Sequence, residues 1–110
     1  MSNEVVRFDQ ELRKGRIVLH LHGEVDLSNV EWLERQIGVA VTGRPRVVID
    51  LSDVGYIDSQ GLRLLKQLSD ELAGQGARLQ LVAPPGGFAR GILELTRLDE
   101  DLALVDTLPG

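Results

Sequence analysis

Val47-Val48-Ile49-Asp50-Leu51-Ser52-Asp53-Val54-Gly55-Tyr56-Ile57-Asp58-Ser59-Gln60-Gly61-Leu62 holds, in succession, an apolar β-branched run, a polar break and a helix start. Val47-Val48-Ile49 predicts a short strand, Arg46–Leu51, buried on both faces as central strands of parallel sheets are. Ser52–Tyr56 reads as a loop. From about Ser59 to Leu72 the spacing predicts a helix, with Leu62, Leu65, Leu68 and Leu72 along one broad side. Gly74-Gln75-Gly76 closes it. Either Asp58 or Ser59 can cap this helix by accepting a free N–H, and Gly61 suits close packing on a strand.

Working outward, Val5–Leu12 reads as an edge strand, and Arg13-Lys14-Gly15-Arg16 as the turn into the next. Ile17, Leu19 and Leu21 then alternate with Val18, His20 and His22, the period of a strand with one buried face, and Gly23 ends the alternation. Ser28-Asn29-Val30-Glu31 has the form of a capping box, with Leu27 and Trp32 placed for a hydrophobic staple. Val30, Leu33, Ile37 and Val41 make a helical stripe, stopped by Gly43 and Pro45. On the C-terminal side come a buried strand at Leu79–Val82, a Pro84-Pro85-Gly86-Gly87 break and a helix over about Phe88–Leu95. The acidic Asp99-Glu100-Asp101 then leads to a weak strand at Leu104-Val105. The order β-β-α-β-α-β-α-β predicts a single α/β domain over residues 1–110. Its mostly parallel sheet of four to five strands carries an antiparallel edge hairpin and about three helices.

Composition narrows the function. The chain has 110 residues, a net charge of −5 and no cysteine. The acidic balance argues against a nucleic-acid binder held by phosphate contacts. Lack of cysteine excludes disulfides, thiolate nucleophiles and Cys-ligated metals, and fits a reducing compartment. No apolar run approaches a membrane span, and Met1–Gln10 is no signal peptide, so a cytoplasmic location is expected.

Few residue patterns point to catalysis. His20 and His22 share a strand face, but with no third ligand nearby in sequence they read as outer-face residues rather than a metal site. Glu24, Asp26, Asp53 and Asp58 fall near the carboxyl ends of predicted strands, the rim where open α/β sheets collect ligands. Such carboxylates hold Mg²⁺ in some proteins and cap turns in others. There is no G-x-G-x-x-G or Walker A pattern, and Ser59 lies in Asp-Ser-Gln-Gly rather than in a nucleophile elbow. The expectation is a protein that is not an enzyme, with no catalytic residue, metal or cofactor.

The segment from Ile49 to Leu62 resembles the signature of the STAS domain, the module of bacterial anti-sigma factor antagonists. That family typically has an apolar strand ending in Asp-Leu, a short loop, then Asp-Ser-Ser/Thr-Gly-Leu. Here the segment reads Ile49-Asp50-Leu51, then Tyr56-Ile57-Asp58-Ser59-Gln60-Gly61-Leu62. Gly23-Glu24-Val25-Asp26 is similar to the family's Gly-Glu-Leu-Asp, and Ile92-Leu93-Glu94-Leu95-Thr96-Arg97-Leu98-Asp99 to its Leu-Glu-Leu-Thr-Gly-Leu-Asp. Gln60 stands where relatives often have a second Ser or Thr, while Arg63 and Arg97 replace common glycines. The chain stops at Leu108-Pro109-Gly110, without the last helix of many relatives, and apolar sheet surface left open is expected from that.

The resemblance implies a phosphorylation-switched binding module. An anti-sigma factor that is a serine kinase of the GHKL type would modify Ser59; unmodified antagonist would bind this kinase and free a sigma factor; a PP2C-type phosphatase would reset the switch. Asp26, Asp58, Ser59, Gln60, Arg63, Leu64 and Gln67 are the expected partner-binding residues, with Arg63, Leu64, Lys66 and Gln67 on the outer side of the second helix. A phosphate on Ser59 adds about −1.5 to −2 charges beside Asp58, in a place the helix dipole tolerates. Two other implications are an adaptor subunit of a stress-signalling assembly or membrane transport complex, with Ser59 unmodified, and a weak nucleotide binder using the acidic rim.

Overall fold

Lys14 and Gly15 have φ of 52° and 82°, the double left-handed geometry that a tight two-residue hairpin requires. They join β1 (Val6–Arg13) to β2 (Arg16–Val25) in the computed structural model, which describes residues 6–109. Val5 lies outside those residues. After the hairpin come α1 (Val30–Val41), β3 (Arg46–Ile57), α2 (Ser59–Gly74), β4 (Arg78–Val82), α3 (Phe88–Leu95), a 3₁₀ turn (Leu98–Glu100) and β5 (Leu104–Val105). The five strands lie side by side in chain order, antiparallel between β1 and β2 and parallel thereafter.

Each parallel step moves to the neighbouring strand in the same direction. Crossovers of one hand therefore stack all three helices on one face. Residues of all three share one apolar core with the sheet, including Leu33 and Ile37 of α1, Leu65 and Leu68 of α2, and Leu93 of α3. The stripe expected for α1 is the buried set observed: Val30, Leu33, Ile37 and Val41. In α2 the buried positions are Gly61, Leu64, Leu65, Leu68 and Leu72. Leu62 is only half-buried, and Leu64 takes an inward place that the sequence reading gave to the outer side.

Other local readings change. Val54 and Ile57 are buried, and Asp53, Val54, Tyr56 and Ile57 pair with β2, so Ser52–Tyr56 is strand rather than loop. Partner pairing overrides turn-forming Ser, Asp and Gly there. For the same reason β2 runs through Gly23 to Val25, absorbing irregular register between His20 and His22 and between Gly23 and Glu24. The capping box does not form: Ser28 Oγ donates to Asp26 Oδ1 at 2.5 Å, and α1 begins only at Val30. Nor does the staple, since Leu27 is 71% exposed and Trp32 packs edge-on against Phe8 with centroids 6.5 Å apart.

On the face away from the helices, Val18, Val48 and Val82 are 1%, 0% and 2% exposed. Val105 and Leu108 pack against them. Arg90 fixes the segment after β5, donating through Nε to Ala83 O at 2.8 Å and through Nη2 to Asp106 Oδ1 at 2.6 Å. The apolar sheet surface expected to stand open is thus sealed, and Val47–Ile49 is buried on both sides.

Candidate functional site

The carboxyl ends of β2 and β3 carry the two loops that matter. Asp58 N donates to Val25 O at 3.1 Å, tying one loop to the other. The Asp58 carboxylate caps α2: Oδ1 accepts from Gln60 N at 2.9 Å and Gly61 N at 3.0 Å. Oδ2 accepts from Leu27 N at 3.0 Å. One side chain therefore closes a helix terminus and crosslinks to the β2–α1 loop.

That division settles which residue is the cap. Asp58 holds extended backbone and takes the free helix N–H groups; Ser59 is the first helical residue and is exposed. The Ser59 hydroxyl makes no hydrogen bond among the described residues. It stands at the positive end of the helix dipole without structural duty.

Gly61 has a separate reason to be glycine. A Cβ there would lie 2.7 Å from Ile57 Cγ2 and 2.9 Å from Val25 Cγ1. The first turn of α2 rests directly on the ends of both strands, and this seats Ser59 at the rim.

Asn29, which the sequence reading passed over, is the buried polar residue of the site, 1% exposed. Its Oδ1 accepts from Asp26 N at 3.1 Å, and its Nδ2 donates to Glu24 O at 2.9 Å. Asp26 Oδ1 also accepts from Ser28 N at 2.9 Å. The loop that presents Leu27 is thus held from inside and outside. An Asn directly before an apolar helical stripe was the available signal; its amide satisfies strand-end backbone instead of capping the helix.

Between α1 and α2 runs a groove of about 220 Å³, whose lining begins at Gln60, the residue after Ser59. Gln60, Arg63, Leu64 and Gln67 line one wall, and Leu27, Val30, Glu31 and Glu34 the other. The structure therefore gathers four of the expected partner-binding residues. Leu64, 6% exposed, contributes only to the floor. Lys66 pairs with Asp70 at 2.8 Å instead, which raises the ammonium pKa through that hydrogen bond. The groove wall formed by Leu27, Glu31 and Glu34 was missed in sequence because it depends on how α1 docks beside α2.

The acidic rim does not converge. Asp58 uses both oxygens on backbone N–H groups, Asp26 holds Ser28, and Asp53 lies on the outer sheet face beside His22. Among the described residues no cluster of His, Asp or Glu could hold a metal ion. His20 and His22 are on the outer face as read, but each sits between two carboxylates. His20 contacts Glu11 and Asp50, both at 2.7 Å. His22 contacts Asp9 at 3.2 Å and Asp53 at 3.1 Å. The Glu11 hydrogen bond, aided by Asp50, raises the His20 pKa against the opposing effect of burial.

No helix of the described residues is long and apolar enough to cross a membrane. The chain is 38% identical over 95 residues to the anti-sigma-F factor antagonist RsfB of Mycobacterium tuberculosis, covering 86% of this chain and 76% of that protein. Its fold matches the crystal structure of an anti-sigma factor antagonist from Mycobacterium paratuberculosis with a TM-score of 0.84 and 31% identity, over 97% of this chain and 91% of that one. It also matches the Bacillus cell fate determinant SpoIIAA in its phosphorylated form, with a TM-score of 0.66, 22% identity, and coverage of 90% and 91%. Residues 7–109 match the STAS domain family, and the chain belongs to it.

Proposed function

We propose that this chain is an anti-sigma factor antagonist, a binding module rather than an enzyme, switched by phosphorylation of Ser59. The observation that carries the reading is the separation of duties at the head of α2. Asp58 caps the helix, leaving the exposed Ser59 hydroxyl free of capping, one residue before Gln60 of the α1–α2 groove. A kinase can modify such a hydroxyl without dismantling the fold. A dianion there confronts any partner with a charge that must be desolvated or repelled.

The anti-sigma factor would dock across Ser59 and the groove, where Leu27 offers apolar contact and Arg63 a fork for a carboxylate. Asp26 and Asp58 contribute by holding the loops, with Gln60 and Gln67 as polar contacts along the wall. A serine kinase of the GHKL type as the anti-sigma factor, a PP2C-type phosphatase as its antagonist and a cytoplasmic setting complete the reading. Similarity to RsfB supports the antagonist branch over the adaptor one.

Intact-mass analysis of protein purified from its native cell, with and without phosphatase, tests the switch. A species heavier by one phosphate and mapped to Ser59 is the expected result. A co-purified anti-sigma factor that binds Ser59→Ala and Ser59→Asp equally well would overturn the mechanism.

A further inference from the structure

At the far end of the sheet from Ser59, register places four arginines side by side. Arg13 of β1 pairs with Arg16 of β2, Arg16 is adjacent to Arg46 of β3, and Arg46 pairs with Arg78 of β4. Arg16, Arg46 and Arg78 each directly precede inward-facing Ile17, Val47 and Leu79, so the row lies on the sheet face that carries no helix. Neighbouring strands are about 4.8 Å apart, which makes the row about 15 Å long.

Like charges directly opposite one another destabilise a sheet, and Glu11, whose carboxyl pKa is lowered chiefly by its hydrogen bond to His20, offsets the row only at its Arg13 end, through the charge of Arg13. None of the four makes an ion pair among the described residues. The carboxylate nearest in register, Glu11, is committed to His20 at 2.7 Å. The Arg46 guanidinium is folded over the hairpin turn, its Nη2 2.9 Å from where a Cβ on Gly15 would lie. Arg44 before β3 extends the positive field, so five of the chain's twelve Lys and Arg residues lie at this end.

We infer that this arginine row is a second interaction surface, fitted to an acidic helical segment of a protein partner. A helix presents residues four apart at about 5–6 Å, close to the pitch of the row, and carboxylates match guanidinium forks. With so many bases collected here, the remaining surface of a chain of net charge −5 is strongly acidic. An extended polyanion such as DNA, or an anionic membrane, would overrun the row and meet that repulsive flank. No exposed aromatic lies in the row to stack a base.

The test uses the whole chain and a fluorescein-labelled alanine-rich helical peptide with glutamates at i, i+4, i+8 and i+12, read by anisotropy at low ionic strength. Binding to the unaltered protein is expected, weakened about tenfold by Arg46→Gln/Arg78→Gln and abolished by about 0.3 M salt. Arg7→Gln/Arg35→Gln, which removes equal charge elsewhere, is expected to change affinity less than about twofold. Urea denaturation checks folding; should the first pair unfold, Arg13→Gln/Arg16→Gln replaces it. Absence of peptide binding, or equal loss in both pairs, overturns the inference. So does tighter, row-dependent binding to a single-stranded oligothymidine or to phosphatidylserine vesicles.

Discussion

Replacing Asp58 by Ala removes the acceptor for three backbone N–H groups, at Gln60, Gly61 and Leu27. Loss of the two helix contacts is a cap deletion, worth about 1–2 kcal/mol. The Leu27 N–H lies at an exposed residue where water substitutes, so its loss adds only about 0.5 kcal/mol. The expected cost is about 1.5–2.5 kcal/mol, a drop of roughly 6–10 °C in Tm for a domain of this size. Ser59→Ala, one residue away, deletes a hydroxyl without partners and is expected to stay within about 0.5 kcal/mol of the parent. Ser59→Asp adds a carboxylate to the first turn and is expected to be neutral or to stabilise by about 0.3–1 kcal/mol. Urea denaturation of the three variants at neutral pH, with common m-values, is the measurement. Equal destabilisation by Ser59→Ala and Asp58→Ala would refute the separation of capping from switching, and with it the argument that phosphorylation leaves the fold intact.

Gly61→Ala should destabilise despite better helix propensity, by about 1–2 kcal/mol, because the new methyl meets the stiff β-branched Val25 and Ile57 side chains below 3 Å; the compound variant with Val25→Ala should recover part of the loss in the same titration. Asn29→Ala strands the Asp26 N–H and the Glu24 carbonyl, so a cost of about 2–4 kcal/mol is expected, together with faster amide exchange in residues 24–29. His20 has a raised pKa in the folded state, so its contribution is fully present below the unfolded value of about 6.5 and lost as pH rises through the folded value. The stability gap between the parent and His20→Gln should therefore be wider at about pH 5.5 than at pH 9. It should shrink again in acid as Glu11 and Asp50, whose pKa values are lowered, take up protons.

Sequence alone determined the order of elements, because that order follows from local patterns. The apolar stripe of α1, the β-branched run of β3 and the Pro84–Gly87 break each act within one or two turns of chain. Sequence also located Asp58-Ser59 at a helix start, but two adjacent residues competent to cap look alike until the backbone direction is known. Only the tertiary structure assigned the cap to Asp58, since the choice rests on which side chain meets the free N–H groups of Gln60 and Gly61. Only it turned Ser52–Tyr56 into strand, where pairing to β2 outweighs local turn preference, and drew Leu64 inward between α1 and α2. The same holds for the histidines and the arginine row. His20, Glu11 and Asp50 are far apart in sequence, as are Arg13, Arg46 and Arg78, and they meet because strand register sets neighbours that no local pattern encodes.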